Sequence, residues 1–199
     1  MEEVVRIWAL SAALIAVLVG CASPASLPTA RSVSPSASPE SPSAAKELPN
    51  PKGAVLDLEK DEFPYTLQGV SAGTNPTVKG DPASPGNTFL LVILKLDGTL
   101  KDRPTAMDPF LWLSAYYPGC KDVCSSPMGA AFVPKPKEEF VQGGQGQLVS
   151  WEYDTNLQPG ISYYTLVYAQ IPEGVDLKQV QVCPYFERKP CIDVKDLVS

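Results

Sequence analysis

Residues 87–98 read NTFLLVILKLDG, and Phe89 through Leu94 is unbroken by any polar residue. Ser84-Pro85-Gly86 precedes the run and Asp97-Gly98 ends it. A short apolar run rich in branched side chains and bracketed by turn residues is the mark of a strand buried in a sandwich core. Nowhere does the chain keep a 3.6-residue apolar period over ten residues, so long amphipathic helices are not expected.

Working outward, SYYTLVYAQIP (162–172) is dense in aromatic and β-branched residues and closes at a proline. GQLVSWEYD (146–154) alternates, with Val149, Trp151 and Tyr153 on one face and Ser150 and Glu152 on the other. Shorter candidates are YTLQGV (65–70), FLWLSAYY (110–117), AAFV (130–133), KQVQVC (178–183) and CIDVKDL (191–197). Gly, Pro and Asp turns separate these pieces, which predict about eight strands. Each half-apolar sheet must bury its face on another, so the economical architecture is an all-β antiparallel sandwich. Trp112 and Trp151, lying within apolar strands, are expected in the core.

The order of these features resembles the immunoglobulin-like (telokin-like) domains of unknown function carried by lipoproteins and secreted proteins of Gram-positive bacteria. The matching stretches are SPGNTFLLVILKL, LQPGISYYTLVYAQIPEG and KQVQVCPYF, within residues 65–186. Departures are the added cysteines and DGTLKDRP where an Asn-rich turn is expected after the first long strand. The resemblance implies an immunoglobulin-like sandwich serving as an extracellular binding or assembly module. It brings no catalytic residues with it.

The N-terminus predicts how such a domain is held. Ile7–Val19 is apolar except for Ser11 and is too short for the ~20 residues a spanning helix needs. It ends in Leu18-Val19-Gly20-Cys21, which resembles the lipobox of bacterial lipoproteins. The resemblance implies cleavage before Cys21 and diacylation of that cysteine, and two acyl chains give a stable anchor where one gives a marginal one. Residues 1–20 are therefore read as a lipoprotein signal peptide. Residues 21–53 are read as the lipidated cysteine followed by a Ser/Pro-rich linker, and 54–199 as the folded domain. The linker has no aromatic residue and too little apolar surface to offset its ordering entropy, which predicts disorder. In an extended polyproline II form about 30 residues at ~3.1 Å each reach roughly 90 Å, enough for a stalk into the wall layer. Its Ser/Thr-Pro composition also suits O-glycosylation.

Composition narrows function further. Net charge is −6 and no basic stripe is visible, so nucleic acid is not an expected partner. The chain has no histidine, which removes His-based triads, Cys–His dyads and HExxH zinc sites. Four cysteines follow Cys21: Cys120, Cys124, Cys183 and Cys191. In an exported chain an even number predicts disulfides, and their spacings are poor for zinc. Pairing 120–124 with 183–191 closes small loops worth about 2 and 2.5 kcal/mol in the chain-entropy model, whereas crossed pairing closes loops worth about 4 kcal/mol each. Pro184 and Pro190, symmetrical about YFERK, read as a clipped hairpin neck and favour local pairing.

Two bridged loops carry aromatic residues with exposed character: YYPGCKDVC (116–124) and CPYFERKPC (183–191). Tyr116, Tyr117, Tyr185, Phe186 and Arg188 are thus the candidate binding residues, being of the types enriched in binding hot spots. The acidic run Asp57, Glu59, Asp61, Glu62 lacks the spacing of a calcium loop. Glu138 and Glu139 are the carboxylate pair to weigh for glycoside chemistry, though adjacent residues point apart. The expectation is a lipid-anchored surface module on the outer face of the cell membrane. It would bind protein or wall polymer and have no catalytic role, no metal and no cofactor. The alternatives are a small wall hydrolase working through carboxylates and a passive spacer.

Overall fold

The computed structural model describes residues 47–58, 64–107, 111–120, 124–131, 134–142, 156–185 and 189–198. The 146–154 candidate strand, Cys21 and residues 22–46 lie outside them. Along the chain run β1 (Lys52–Asp57), β2 (Tyr65–Asn75), β3 (Thr77–Val78), β4 (Asp81–Pro82) and β5 (Asn87–Gly98). Next come β6 (Thr105–Ala106), β7 (Leu113–Tyr117), β8 (Cys124–Pro127), β9 (Gly129–Ala130), β10 (Lys135–Pro136) and one short helix, α1 (Lys137–Gln142). β11 (Asn156–Leu157), β12 (Ser162–Pro172), β13 (Gln181–Pro184) and β14 (Ile192–Asp193) complete the order. The described chain is therefore mainly β, and every strand pairing in it is antiparallel.

The first sheet has the order β1-β2-β5-β12-β10, with β9 also on β12; the second has the order β14-β13-β7-β8. The chain passes between them after β5, after β12 and, most abruptly, just after β8. There the Met128 N–H still donates to the Leu113 carbonyl at 2.9 Å, and three residues on the Ala131 N–H donates to the Leu166 carbonyl at 2.7 Å.

β5 and β12 form the spine, pairing from Asn87↔Pro172 to Asp97↔Ser162. Side chains alternate along them, so each strand serves two cores. Leu90, Val92, Leu94 and Leu96 join Val167, Ala169 and Ile171 between the sheets, with Leu113, Ala115, Val182 and Ile192 from the second sheet. Phe89 and Ile93 join Tyr164 on the outer face. That outer face is covered as well, by Leu48, Val78 and Phe140, which explains why 87–98 is apolar in both registers. Leu48 is only 7 % exposed and β1 starts at Lys52, so packing begins ahead of residue 54, the boundary read from composition.

β2 carries a bulge: Gly69 pairs with Leu94 and Ser71 with Ile93, leaving Val70 over. The extra residue turns Val70 into the outer core while Gly69 stays against the inner one. A Cβ at Gly69 would sit 2.6 and 2.7 Å from the two Leu197 methyls and 3.0 Å from Ile192 Cγ2, so only a glycine lets the C-terminal turn close onto β2.

Several shorter expectations are corrected. The 110–117 strand begins at Leu113, and 65–70 extends to Asn75. In 178–183 only Gln181 onward is strand, because Asp176 caps a 3-10 turn at Leu177–Gln179 through its bond from the Lys178 N–H. In 191–197 only Ile192–Asp193 is strand, followed by a 3-10 turn at Val194–Asp196.

Candidate recognition surface

The four later cysteines form two local bridges, Cys120–Cys124 and Cys183–Cys191. They clip opposite ends of the second sheet. Antiparallel pairing sets Pro184 against Leu113 at one end of β7 and Gln181 against Tyr116 toward the other, where Tyr117 faces Cys124. The two ends are about 13 Å apart along the strand. Tyr116 and Tyr117, both half-buried, therefore do not share a surface with Tyr185, and the pair of bridged loops is not one site. Phe186 and Arg188 lie outside the described residues.

Tyr185 instead meets Trp112. The Tyr185 N–H donates to the Trp112 carbonyl at 2.5 Å, in register with the pairs Cys183↔Ser114 and Gln181↔Tyr116, so the ladder runs one rung past Pro184. Trp112 adopts φ 42°, in the left-handed region that costs a non-glycine residue roughly 1–2 kcal/mol. The result is two large side chains at one sheet end, Trp112 43 % and Tyr185 49 % exposed, beside the Cys183–Cys191 bridge. Trp112 was expected in the core and is not there: its neighbour Leu113, 2 % exposed, takes the inward position. Val55 and Ile161 are the other large apolar side chains exposed among the described residues, and each stands on a different strand or turn.

The remaining candidates do not assemble a reactive site. Glu138 and Glu139 are exposed in the first turn of α1, and Glu139 pairs with Lys135 at 3.7 Å. Asp57 is exposed at the end of β1, and the rest of the acidic run lies outside the described residues. Among the described residues no group of three or more Cys, Asp or Glu side chains could hold a metal. An open cleft of about 350 Å³ lies where β2, β5 and β12 meet the turn after Pro172, lined by Thr74, Thr88 and Glu173 together with Ile171, Val175 and Leu177. It holds one carboxylate and no second titratable group, so it supplies no acid–base pair. Among the described residues the Asp193 carboxyl is clearly shifted: the hydrogen bond from Gln181 Nε2 at 2.7 Å, then the Lys195 ammonium at 3.2 Å, hold it below the ordinary value.

These features define a class: a mainly β protein of two large antiparallel sheets and two small two-stranded ones, locally bridged by disulfides, with an aromatic pair displayed at one sheet end. In comparison with known proteins, no family model, no curated protein and no solved structure matches the chain.

Proposed function

We propose that this protein is a lipid-anchored, immunoglobulin-like binding module whose Trp112–Tyr185 end engages a protein or wall-polymer partner outside the cell membrane. The tether rests on the apolar run that stops at Leu18-Val19-Gly20-Cys21. The immunoglobulin-like assignment is supported by strand order. β2-β5-β12-β10 against β14-β13-β7-β8 follows the A-B-E-D against G-F-C-C′ arrangement of those sandwiches. Two departures qualify the likeness: the Cys183–Cys191 bridge stays within one sheet, and Trp112 is exposed where those domains bury a tryptophan.

The observation that carries the recognition role is Trp112, held in a strained left-handed conformation with its ring half in water. Backbone strain at a residue that contributes little to the core is what a binding surface stores and a core does not need. Tryptophan and tyrosine bury large areas at small entropic loss, and they dominate binding hot spots. The adjacent bridge lowers the ordering entropy the loop would lose on binding. A photo-crosslinking amino acid at position 185 should give adducts on intact cells, and one at position 117, on the far end of β7, should give none. Equal labelling at the two positions, or none at 185, overturns the reading.

A further inference from the structure

We infer that the strap Glu47–Pro51 and α1 form a single flap over the outer face of the first sheet, which opens as a unit while the two-sheet sandwich stays folded. The two apolar clusters differ in size and in what covers them. Among the described residues 22 are buried between the sheets, most of them on strands joined by ladder bonds. The outer cluster has eight of the described residues: Leu48, Val70, Val78, Phe89, Ile93, Ala131, Phe140 and Tyr164.

Its floor is β5 and β12, which the inner core holds independently. Its cover is a six-residue helix, a hairpin of two-residue strands, and a strap in which Pro49 and Pro51 cannot donate backbone hydrogen bonds. A helix that short is unstable in water alone and persists here through Phe140, whose ring lies 6.2 Å from that of Tyr164. Leu48 shares the same cluster, and Glu47 Oε1 lies 3.8 Å from Lys137 Nζ at the helix start. Strap and helix thus meet each other as well as the sheet. Elements with few backbone bonds and a small apolar contact open at lower free energy than the ladders beneath them.

The strap is also the covalent entry into the domain. Force on the chain ahead of it loads Leu48 before it loads the β1–β2 ladder, and lifting it uncovers Val70, Ile93 and Tyr164. The flap stands on the packing alone and is independent of how the N-terminus is attached.

Hydrogen exchange followed by mass spectrometry on the full chain tests it. Leu48→Ala should speed exchange in 134–142 at least tenfold and leave 90–96 within twofold of wild type. The milder Leu48→Val should give the same pattern at about threefold. Phe140→Ala should resemble Leu48→Ala, and the double variant should add no more than twofold, because the flap is already open. Unchanged exchange in 134–142 would show that the strap and helix are uncoupled, and equal acceleration in 90–96 would show that they unfold only with the sandwich. Either result overturns the inference.

Discussion

Gly69→Ala tests the packing of the two sheets at one atom. The added Cβ would lie 2.6 and 2.7 Å from the Leu197 methyls and 3.0 Å from Ile192 Cγ2, against about 3.5–4.0 Å for carbon atoms at rest. Leu197 is 3 % exposed and Ile192 fully buried, so neither can swing aside into solvent. Overpacking of this kind destabilises by about 1–3 kcal/mol. The loss of backbone freedom in the unfolded chain returns about 0.4–1 kcal/mol, leaving a net destabilisation of roughly 1–2 kcal/mol. For a domain of this size that is a fall of about 2–8 °C in melting temperature. Leu197→Ala alone leaves a cavity and should lose about 2–5 kcal/mol. Combined, the two changes should lose less than their sum, because the new methyl occupies space the leucine vacated. Calorimetry or urea titration of the four variants measures this cycle. A neutral or stabilising Gly69→Ala, or strict additivity in the cycle, would refute the placement of the C-terminal turn against the β2 bulge.

Three further outcomes follow from local features. Lys79 and Gly80 both have positive φ at the β3–β4 turn, the geometry of a type I′ hairpin, so Lys79→Asn should raise stability by about 0.5–1 kcal/mol in a denaturant titration. Asp193 has a folded-state pKa below its ordinary 3.8, so its bonds stabilise the fold above that pH and lose their effect as pH falls through the lowered value. Gln181→Ala should accordingly be less stable than wild type at neutral pH and equal to it in acid well below 3.8. Cys21 should be the first residue of the mature chain and carry lipid, as intact mass measurement of the membrane fraction will show, and Cys21→Ala should release the protein from membranes.

The parts of the fold legible from residue order were those whose signal is local. β5 and β12 coincide with the stretches 87–98 and 162–172 because their apolar runs are long and end in turn residues. Local bridging was legible in the prolines that flank the Cys183–Cys191 neck. The short strands β8 and β10 are not, since their partners lie on different sheets and their few residues show no period, while AAFV (130–133) meets β9 only at Ala130. Leu48 looks like linker in the sequence because a single leucine among Ser, Pro and charged residues carries no pattern, and its burial depends on a surface formed by β5, β12 and α1. The exposure of Trp112 was equally hidden. It goes with the left-handed φ of Trp112 and its pairing opposite Tyr185, a residue about seventy positions away in sequence, and FLWLSAYY offers no trace of that partner.

The central claim, recognition through the aromatic end of the second sheet, is tested most directly by comparing two alanine pairs in one binding assay against the crosslinked partner. Trp112→Ala with Tyr185→Ala should weaken binding at least tenfold, about 1.4 kcal/mol, while Tyr116→Ala with Tyr117→Ala at the opposite end leaves it unchanged. Equal affinity for wild type and the Trp112/Tyr185 pair, with both proteins folded by circular dichroism, would contradict it.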